Sequence, residues 1–403
     1  MTLSSGQNSH LTYRANQGVG RHGWLRLTPA YSLRLVREHI AALGPSSVVT
    51  DPFSGTGTTA LAAAEHGVRG QAFDINPFLI WLGQAKTRHY DAGVLSAAAA
   101  SVPSVLEHAR SLLRSANLWQ PRLANIERWW GPAALAELRA LRAALDRQPP
   151  GHARDLLDIA FCRSLIAASN AAFNHQSMSF KDPGSVGVGS VLVPFVRQAE
   201  EILVSAAADL PGDAEIIRSD SRGMDPAGVA PCDLLLTSPP YVNRMSYIRE
   251  LRPYMYWLRY LDEPTDASDL DWTAIGGTWG TATSRLATWQ PREATPIDAA
   301  LESLCVRIAR DGGKSGPLLA NYVRKYFADM WPHFQSAYKH VKSGGRATYI
   351  VGNSTFYGNL VPVEEWYRVL LSEAGFGPVT VTVIRKRNSN KHLWEFDVTA
   401  HKP

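Results

Sequence analysis

The chain has 403 residues, 45% of them hydrophobic and 19% charged, so it can bury one large core or two modest ones, and its net charge of +5 suits a nucleic-acid partner without requiring one. The three cysteines are far apart and form no C-x-x-C pair, which argues against a disulfide framework and a zinc site, so we expect no metal. We see no apolar run of about 18 residues and no signal peptide, so we expect a protein of the reducing cytoplasm that does not enter membranes.

The first elements are a polar segment, a helix and a strand. Residues 1–23 are polar and rich in glycine, which is typical either of a disordered tail or of an arm that orders over cofactor or DNA. Apolar residues then recur at helical spacing, which predicts a helix over 33–43. The β-branched run at 47–50 predicts a short buried strand.

A glycine-rich turn, Asp51-Pro52-Phe53-Ser54-Gly55-Thr56-Gly57-Thr58-Thr59, follows this strand and leads into a strong helix former at 60–66. Glycines let the backbone approach a ligand, and a helix start offers unpaired N–H groups, so this order predicts a nucleotide-type site. A second strand at 70–74 ends in Asp74, which is placed to accept hydrogen bonds from ribose hydroxyls. The turn lacks the G-x-G-x-x-G of dinucleotide dehydrogenases and the lysine of a P-loop, which disfavours both classes.

Residues 88–213 are rich in Ala, Leu and Arg, and their spacing predicts helices over 95–113, 126–145 and 153–171. A polar stretch at 174–184 interrupts them and contains His175 and Lys181. Amides, hydroxyls and a lysine are side chains that contact base edges and phosphates, so this stretch is either a DNA contact or a connector.

The run Thr237-Ser238-Pro239-Pro240-Tyr241 follows Cys232–Leu236, a short apolar segment typical of a buried parallel strand. Neither proline can donate to a sheet ladder, so the pair ends the strand and fixes the backbone. The Ser238 hydroxyl and a carbonyl are then held at the carboxyl edge of the sheet, where open α/β sheets bind ligands. Rigid acceptors beside an aromatic ring suit an exocyclic amino group and the ring that bears it.

The remaining stretch begins with an aromatic helix over 249–261, and residues 262–315 then show loop signals without a clear period. We expect a loop-rich insert there and a second candidate for DNA contact. A helix over 322–341 and a Ser343-Gly344-Gly345 turn precede a strand at 346–351. That strand ends in Gly352-Asn353-Ser354, so Asn353 and Ser354 could line a base pocket.

A helix over 363–374 and a hairpin of strands over 379–385 and 393–401 complete the chain. The hairpin tip is basic and includes Arg387, so it is either a DNA clamp or an ordinary solvated turn.

Together, D-P-F-S-G-T-G-T-T and T-S-P-P-Y resemble the S-adenosylmethionine-dependent DNA amino-methyltransferases, which make N4-methylcytosine or N6-methyladenine. The pattern S-P-P-Y-x-N-R-x-x-Y, which contains Asn243 and Arg244, and the later G-N-S are similar to a bacterial branch of that family. The resemblance covers about half of the chain and leaves both inserts unsupported. It implies an α/β, Rossmann-like class I methyltransferase fold with a mostly parallel seven-stranded sheet, an antiparallel C-terminal hairpin strand and a helical insertion.

The resemblance also implies a division of the chain. Residues 1–87 would form an N-terminal arm and the cofactor-binding half of the core, and residues 88–213 a helical insert that is a candidate for DNA recognition. Residues 214–261 would form the catalytic half, residues 262–315 the loop-rich insert, and residues 316–403 the end of the core. The position of the inserts departs from the commonest layout, so the target-recognition element stays ambiguous.

Site residues carry over from the family motifs. The cofactor would be S-adenosyl-L-methionine, with Asp74 on its ribose, Ile75 against its adenine and Asp220 on the adenine amino group. Its binding residues would be Thr28, Pro29, Tyr31, Asp51, Phe53, Gly55, Gly57, Thr58, Asp74, Ile75 and Asp220. The catalytic residues would be Ser238, Pro239, Pro240 and Tyr241. The base pocket or DNA contacts would include Asn243, Arg244, Asn353, Ser354, His175, Lys181 and Arg387.

The implied reaction is methylation of an exocyclic amino group of a base flipped out of DNA, expected to be double-stranded. S-P-P-Y is commoner among N4-cytosine enzymes, which favours cytosine over adenine. An RNA or protein amide methyltransferase and a non-catalytic DNA-binding module are the alternatives. Whether a cognate restriction endonuclease is a partner stays open, as do the recognition sequence and the choice of monomer or homodimer.

Overall fold

The computed structural model describes residues 13–16, 18–25, 31–115, 117–172, 179–180, 191–224, 229–243, 246–277, 281–387 and 392–403. Its strands are β1 (Val48–Asp51), β2 (Arg69–Asp74), β3 (Ala171–Ala172), β4 (Ser179–Phe180), β5 (Ala214–Arg218), β6 (Cys232–Thr237), β7 (Val341–Gly352), β8 (Ser354–Phe356), β9 (Asn359–Val361), β10 (Val379–Lys386) and β11 (Trp394–His401). Its α-helices are α1 (Leu33–Ile40), α2 (Thr58–Glu65), α3 (Pro77–Thr87), α4 (Ala92–Leu112), α5 (Ile126–Trp129), α6 (Pro132–Asp146), α7 (His152–Ala167), α8 (Leu192–Ala206), α9 (Tyr247–Trp257), α10 (Asp266–Thr273), α11 (Thr281–Ala287), α12 (Asp298–Asp311), α13 (Gly316–His340) and α14 (Val363–Glu373).

Seven of these strands form one sheet in the order β10-β11-β7-β6-β1-β2-β5. The strands from β7 to β5 run parallel to one another, whereas β11 is antiparallel to both β7 and β10. The apolar run of β6 is fully buried, as expected of a central parallel strand. The predicted fold class, a mostly parallel seven-stranded methyltransferase-type sheet with an antiparallel C-terminal hairpin strand, is confirmed.

The direction of chain progression through the sheet reverses at β1. From β1, the chain proceeds through β2 to β5 on one side and through β6 to β7 on the other. Open α/β sheets bind ligands in the crevice at the carboxyl ends of the strands at such a point. The ends of β1 and β6 are therefore the place to look for a functional site.

The predicted helical insert is present as α4 to α8, and it shares one apolar core with α3 and α9. Phe78 of α3 stacks on Tyr254 of α9 with ring centroids 5.2 Å apart, and Trp257 of α9 meets Trp130 of the insert edge-on. The single helix expected over 126–145 is wrong, because α5 ends at Trp129 and α6 begins at Pro132, where a missing N–H does no harm.

Arg21 and His22 are buried, so the disordered-tail alternative for residues 1–23 is wrong for this part of the segment. Arg21 and Trp24 are buried, and the Trp24 indole donates a hydrogen bond to the Ser205 hydroxyl of α8 at 2.7 Å. The Arg21 guanidinium binds backbone carbonyls at the ends of both α3 and α8. This segment therefore connects α3 to α8, the last helix of the insert.

Two sequence expectations about loops are corrected. The region 262–315 contains three helices, α10, α11 and α12, where loops were expected. The helix α12 buries Leu301, Leu304 and Ile308 at helical spacing, a periodicity that was overlooked because polar segments flank it. The Ser343-Gly344-Gly345 turn lies inside β7 as a bulge, since β6 pairs Cys232 with Val341 but Leu234 with Arg346. Gly344 has a φ of +76°, which suits a bulge residue without a side chain.

Among the described helices, none is long and apolar enough to cross a membrane. The three cysteines, Cys162, Cys232 and Cys305, are free and buried.

Candidate active site

Side-chain hydrogen bonds around Asp51, the last residue of β1, join the ends of β1 and β6. Its buried carboxylate accepts hydrogen bonds from the hydroxyls of Thr237 at 2.6 Å and Thr59 at 2.7 Å. The Thr59 proton is committed to Asp51, so the Tyr31 hydroxyl donates to Thr59 in turn. Burial raises the pKa of Asp51, and the hydrogen bonds from Thr237 and Thr59 oppose that rise. The network holds the glycine turn beside the first residue of the T-S-P-P-Y run.

The glycine turn has the backbone of a ligand-binding loop. Gly55 and Gly57 have φ angles of +49° and +75°, which other residues adopt only with strain. A Cβ at Gly57 would also lie 3.3 Å from the Gly83 Cα of α3. The helix α2 begins at Thr58 without a side-chain cap, and the buried Ser54 hydroxyl has no hydrogen-bond partner. An uncapped helix start beside an unsatisfied hydroxyl fits a polar ligand.

Asp74 ends β2 beside this turn. Its two carboxylate oxygens accept hydrogen bonds from the backbone amides of Gly55 and Asn76, each at 2.9 Å. Each oxygen keeps lone-pair capacity, and burial raises the pKa of Asp74 to about 6. Ile75, half-buried, follows directly. The acid and its apolar neighbour therefore lie at the same sheet edge as the turn.

Asp220 lies beyond the neighbouring strand β5. The Ser219 amide donates to the Asp74 carbonyl, which ties the two strand ends together. The Asp220 carboxylate is bound by Arg222, whose Nη2 is 2.6 Å away and which also contacts Asp329 of α13. Asp220 thus lies next to the end of β2, and its carboxylate already has Arg222 as an intramolecular partner.

Phe53 is the third residue of the glycine turn. Its ring packs on His333 with centroids 4.9 Å apart, and burial lowers the pKa of that histidine to about 4. A neutral imidazole therefore supports Phe53 at the crevice.

Three tyrosines fix the backbone of the T-S-P-P-Y run. The Tyr326 hydroxyl donates to the Pro240 carbonyl at 2.7 Å, and the Tyr322 hydroxyl donates to the Tyr241 carbonyl at 3.4 Å. The Tyr241 amide donates to the Tyr247 hydroxyl at 3.1 Å. The rigidity expected from the two prolines is thus reinforced from two helices, α9 and α13.

The Tyr241 side chain lies in a polar network. Its hydroxyl donates to a Glu395 carboxylate oxygen at 2.9 Å. The Arg387 guanidinium lies 5.4 Å from the ring centroid, within reach of a cation–π contact. Burial raises the pKa of Tyr241 well above its usual value, so the side chain remains a phenol.

Three residues of adjacent strands lie in one row beneath Tyr241. Arg385 of β10 pairs with Glu395 of β11, which pairs with Gly352 of β7. A Cβ at Gly352 would lie 3.0 Å from Tyr241 Cε2 and 2.9 Å from Arg387 Nη1. The Tyr241 ring can therefore occupy this position only because Gly352 has no side chain.

Replacement of Gly352 by alanine is expected to displace the Tyr241 ring and to lower the activity of this site about thirtyfold while the chain stays folded. The added methyl group meets a ring carbon at 3.0 Å, and real Cβ atoms rarely come that close. Initial rates and circular dichroism measure the two properties. Gly44→Ala is the control, since no atom lies within 4 Å of its added Cβ. Equal activity in both variants would contradict this role for Gly352.

The remaining described candidates lie beside this row. The Asn353 side-chain amide accepts a hydrogen bond from the Trp394 backbone N–H at 2.9 Å and donates one to the His392 backbone carbonyl. The Asn353 backbone carbonyl accepts a hydrogen bond from the Arg387 guanidinium. Asn353 therefore anchors the hairpin tip next to Tyr241. Ser354 is buried and its hydroxyl has no partner, whereas Asn243 is half-buried just after Tyr241.

Five other candidates lie outside the described residues, namely Thr28, Pro29, Arg244, His175 and Lys181. Their roles stay predictions.

Sequence reasoning missed a buried lysine beneath the glycine turn. The Lys86 ammonium of α3 donates to the Thr56 carbonyl at 3.0 Å, and burial lowers its pKa to about 7. The sequence did contain a signal for this residue, because α3 is apolar on all sides, as is typical of a buried helix. A lysine in such a helix is expected to be buried with it. Glu395 and Arg385 were missed as well, since only strand register brings them to Tyr241.

In the described part of the chain, no group of three or more His, Cys, Asp or Glu side chains is arranged to hold a metal ion.

Comparison with known proteins gives distant relatives. No protein-family model matches the chain. The type II methyltransferase M.MvaI of Kocuria varians is 21% identical over 250 residues, which are 56% of this chain and 54% of that protein. The type II methyltransferase M.BsoBI of Geobacillus stearothermophilus is 36% identical over 69 residues, 17% of this chain and 14% of that protein. This chain is therefore related in sequence to type II methyltransferases, although the matches span about half or less of these relatives.

Among solved structures, TrmN from Thermus thermophilus aligns with a TM-score of 0.33 and 11% identity, covering 98% of this chain and 53% of that one.

Proposed function

We propose that this protein transfers a methyl group from S-adenosyl-L-methionine to the N4 amino group of cytosine in DNA. The observation that carries the proposal is the Asp51–Thr237 hydrogen bond of 2.6 Å. It brings the start of a cofactor-type glycine turn and the start of an amino-group site to one point of the sheet edge. The sequence similarity to two type II methyltransferases supports the same reaction class.

The residues at the turn fit the cofactor. Asp74 keeps acceptor capacity for ribose hydroxyls, the Ser54 hydroxyl is unsatisfied, and Gly55 and Gly57 have positive φ angles and no side chain to cover the backbone. Phe53 would lie against the methionine portion and Ile75 against the adenine ring, and Asp220 would accept from the adenine amino group. When bound, the cofactor supplies an electrophilic sulfonium methyl group.

The T-S-P-P-Y residues handle the target amino group. An amino group conjugated to a base ring is a poor nucleophile, because its lone pair is delocalised until the nitrogen becomes pyramidal. Acceptors at the Ser238 hydroxyl and the Pro239 carbonyl would bind its two N–H groups and favour that form. Tyr241 would stack on the flipped base. Correct placement then supplies most of the rate increase, and no strong base is needed.

Cytosine is favoured over adenine because Ser238 stands where adenine enzymes of the resembling family more often carry Asp or Asn. The Arg387 guanidinium lies 5.4 Å from the Tyr241 ring centroid, and we expect it to be near the DNA backbone when DNA is bound.

Cofactor affinity is expected to fall about tenfold per pH unit below pH 6, since protonated Asp74 loses acceptors for the ribose. The affinity falls towards low pH because burial raises the pKa of Asp74 to about 6, so the carboxylate form predominates only above pH 6. Calorimetry between pH 5 and 8 measures this dependence. Asp74→Asn should bind weakly at every pH and flatten the curve, whereas a wild-type affinity unchanged at pH 5 would contradict the role of Asp74.

A tritium transfer assay tests the substrate class. The proposal predicts label from the tritiated methyl donor in genomic DNA of a methylation-free host and none in total RNA. Label in RNA alone would favour the RNA methyltransferase alternative and overturn the proposal.

A further inference from the structure

We propose that Lys86 is a positioning residue for the glycine turn, and that its side chain holds the peptide group between Thr56 and Gly57 in the orientation that cofactor binding requires. This inference rests on the proposed function, which assigns the turn to S-adenosyl-L-methionine. It deepens that function by adding a residue that lies outside the sequence motifs.

Lys86 lies beneath the turn on the helix α3. Its side chain is fully buried, and its Nζ donates a hydrogen bond to the Thr56 carbonyl oxygen at 3.0 Å. Gly83, one helical turn earlier, lets the turn come close, since a Cβ at Gly57 would lie 3.3 Å from the Gly83 Cα. The helix α3 therefore supports the turn both by a close backbone approach and by a hydrogen bond.

The hydrogen bond from Lys86 acts on a peptide group that is held at both ends. The N–H of this peptide group belongs to Gly57 and donates to the Ser54 carbonyl at 2.8 Å. Glycine adopts positive and negative φ about equally well, so a peptide group between two glycines of a turn is poorly fixed by its own backbone. Gly55 and Gly57 both have a positive φ, and the hydrogen bonds at the two ends of the peptide group select this conformation.

The two halves of the turn have different anchors. The first half is bound to β2, because the Ser54 amide donates to the Phe73 carbonyl and the Gly55 amide donates to Asp74. Lys86 is the anchor of the second half, where α2 begins. The N–H groups at a helix start are those that meet a polar ligand, so their direction depends on the peptide group that Lys86 holds.

The stability of the fold does not account for a lysine at this position. Burial lowers the pKa of Lys86 from 10.5 to about 7, and no carboxylate in the described part of the chain opposes this effect. The folded state therefore disfavours the ammonium form, and the resulting loss of stability grows as the pH falls from 10.5 and is complete below about 7. A side chain that lowers stability and donates to a turn carbonyl is explained by what it does for the turn.

A turn that is ordered in advance binds its ligand with a smaller loss of conformational entropy. Lys86 is therefore expected to raise cofactor affinity without raising the stability of the protein. A residue that only completes the core would affect stability and leave the affinity of the folded protein unchanged. These two properties distinguish the roles.

Lys86→Met tests the inference, because methionine keeps an unbranched side chain and removes the donor. The dissociation constant of S-adenosyl-L-methionine, measured by calorimetry, is expected to rise about tenfold. The midpoint of thermal unfolding without cofactor should change by less than about 2 °C, because relief from burying the ammonium offsets the lost hydrogen bond. An unchanged dissociation constant would overturn the inference, and so would a variant that does not fold.

Hydrogen–deuterium exchange supplies a readout that needs no cofactor. In Lys86→Met, the backbone amides of residues 52–60 should exchange about tenfold faster, whereas those of α3 should keep the wild-type rate. Faster exchange in α3 as well would show that Lys86 supports the helix and not the turn specifically. That result, or unchanged exchange in the turn, would contradict the positioning role.

Lys339→Met, at an exposed lysine of α13, is the matched control and should bind and exchange like the wild type. If the wild type does not bind S-adenosyl-L-methionine, the proposed function fails, and the role of Lys86 in cofactor binding fails with it. If the wild type binds and Lys86→Met binds equally tightly, this inference alone fails.

Discussion

Ser238→Ala is expected to lower the rate of methyl transfer about a hundredfold while leaving cofactor affinity unchanged, which is the size of effect seen when one polar group is removed from a reacting centre. The hydroxyl would bind the target amino group more strongly as its nitrogen becomes pyramidal, so its loss should appear in kcat. Thr237 holds the neighbouring backbone through Asp51, so the alanine variant should keep the geometry of the sheet edge. Single-turnover kinetics measure the first property and calorimetry the second.

Ser101→Ala is the control for this variant, since Ser101 is half-buried on α4 and its hydroxyl donates to the Ala97 carbonyl of its own helix. Its rate should equal that of the wild type. If Ser238→Ala also kept the wild-type rate, the Ser238 hydroxyl would have no part in the reaction.

Arg21→Met is expected to give the largest loss of stability, about 3 kcal/mol, because it leaves several buried carbonyls without a donor. The Arg21 guanidinium donates to the carbonyls of Lys86 and Arg88 at 3.0 and 2.6 Å, and to those of Ala206 and Ala208 at 2.6 and 2.7 Å. These carbonyls end α3 and α8, where a cation also interacts favourably with both helix dipoles. The midpoint of thermal unfolding should fall by about 3.5 °C.

Arg37→Met removes a guanidinium of the same kind from an exposed ion pair with Glu65, in which the Arg37 side chain is 54% exposed. Exposed pairs contribute at most about 1 kcal/mol, so its midpoint should hardly change. An unchanged midpoint for Arg21→Met would show that residues 18–25 do not hold the two helices together.

The sheet could be predicted because its strands carry local signals. The runs at β1 and β6 are short, apolar and bounded by Pro or Gly, and the hairpin of β10 and β11 was located within one or two residues. Where prediction failed, a local signal pointed the wrong way. The glycines before β7 indicated a turn, but pairing with β6 continued through them as a bulge, because sheet hydrogen bonds are decided by the partner strand.

The residues of the candidate site also divide into those that could be predicted from the sequence and those that could not. Asp51, Gly55, Gly57, Asp74 and Ser238 lie in contiguous motifs, and the fold brings the motifs to one edge, as parallel strands must. The supporting residues were not predictable, because Glu395 reaches Tyr241 only through the pairing of β11 with β7. The positions of Arg385 and Gly352 next to Glu395 likewise follow from strand register, and their neighbours in the sequence do not indicate them.

The most direct test of the central claim is to express this chain in a methylation-free host and analyse the host DNA by nucleoside mass spectrometry and modification-sensitive sequencing. Ser238→Ala and Tyr241→Ala are expressed alongside. The account predicts N4-methylcytosine at one short sequence, lost in both variants. N6-methyladenine would contradict the assignment to cytosine, and DNA without any new modified base would contradict methyl transfer to DNA itself.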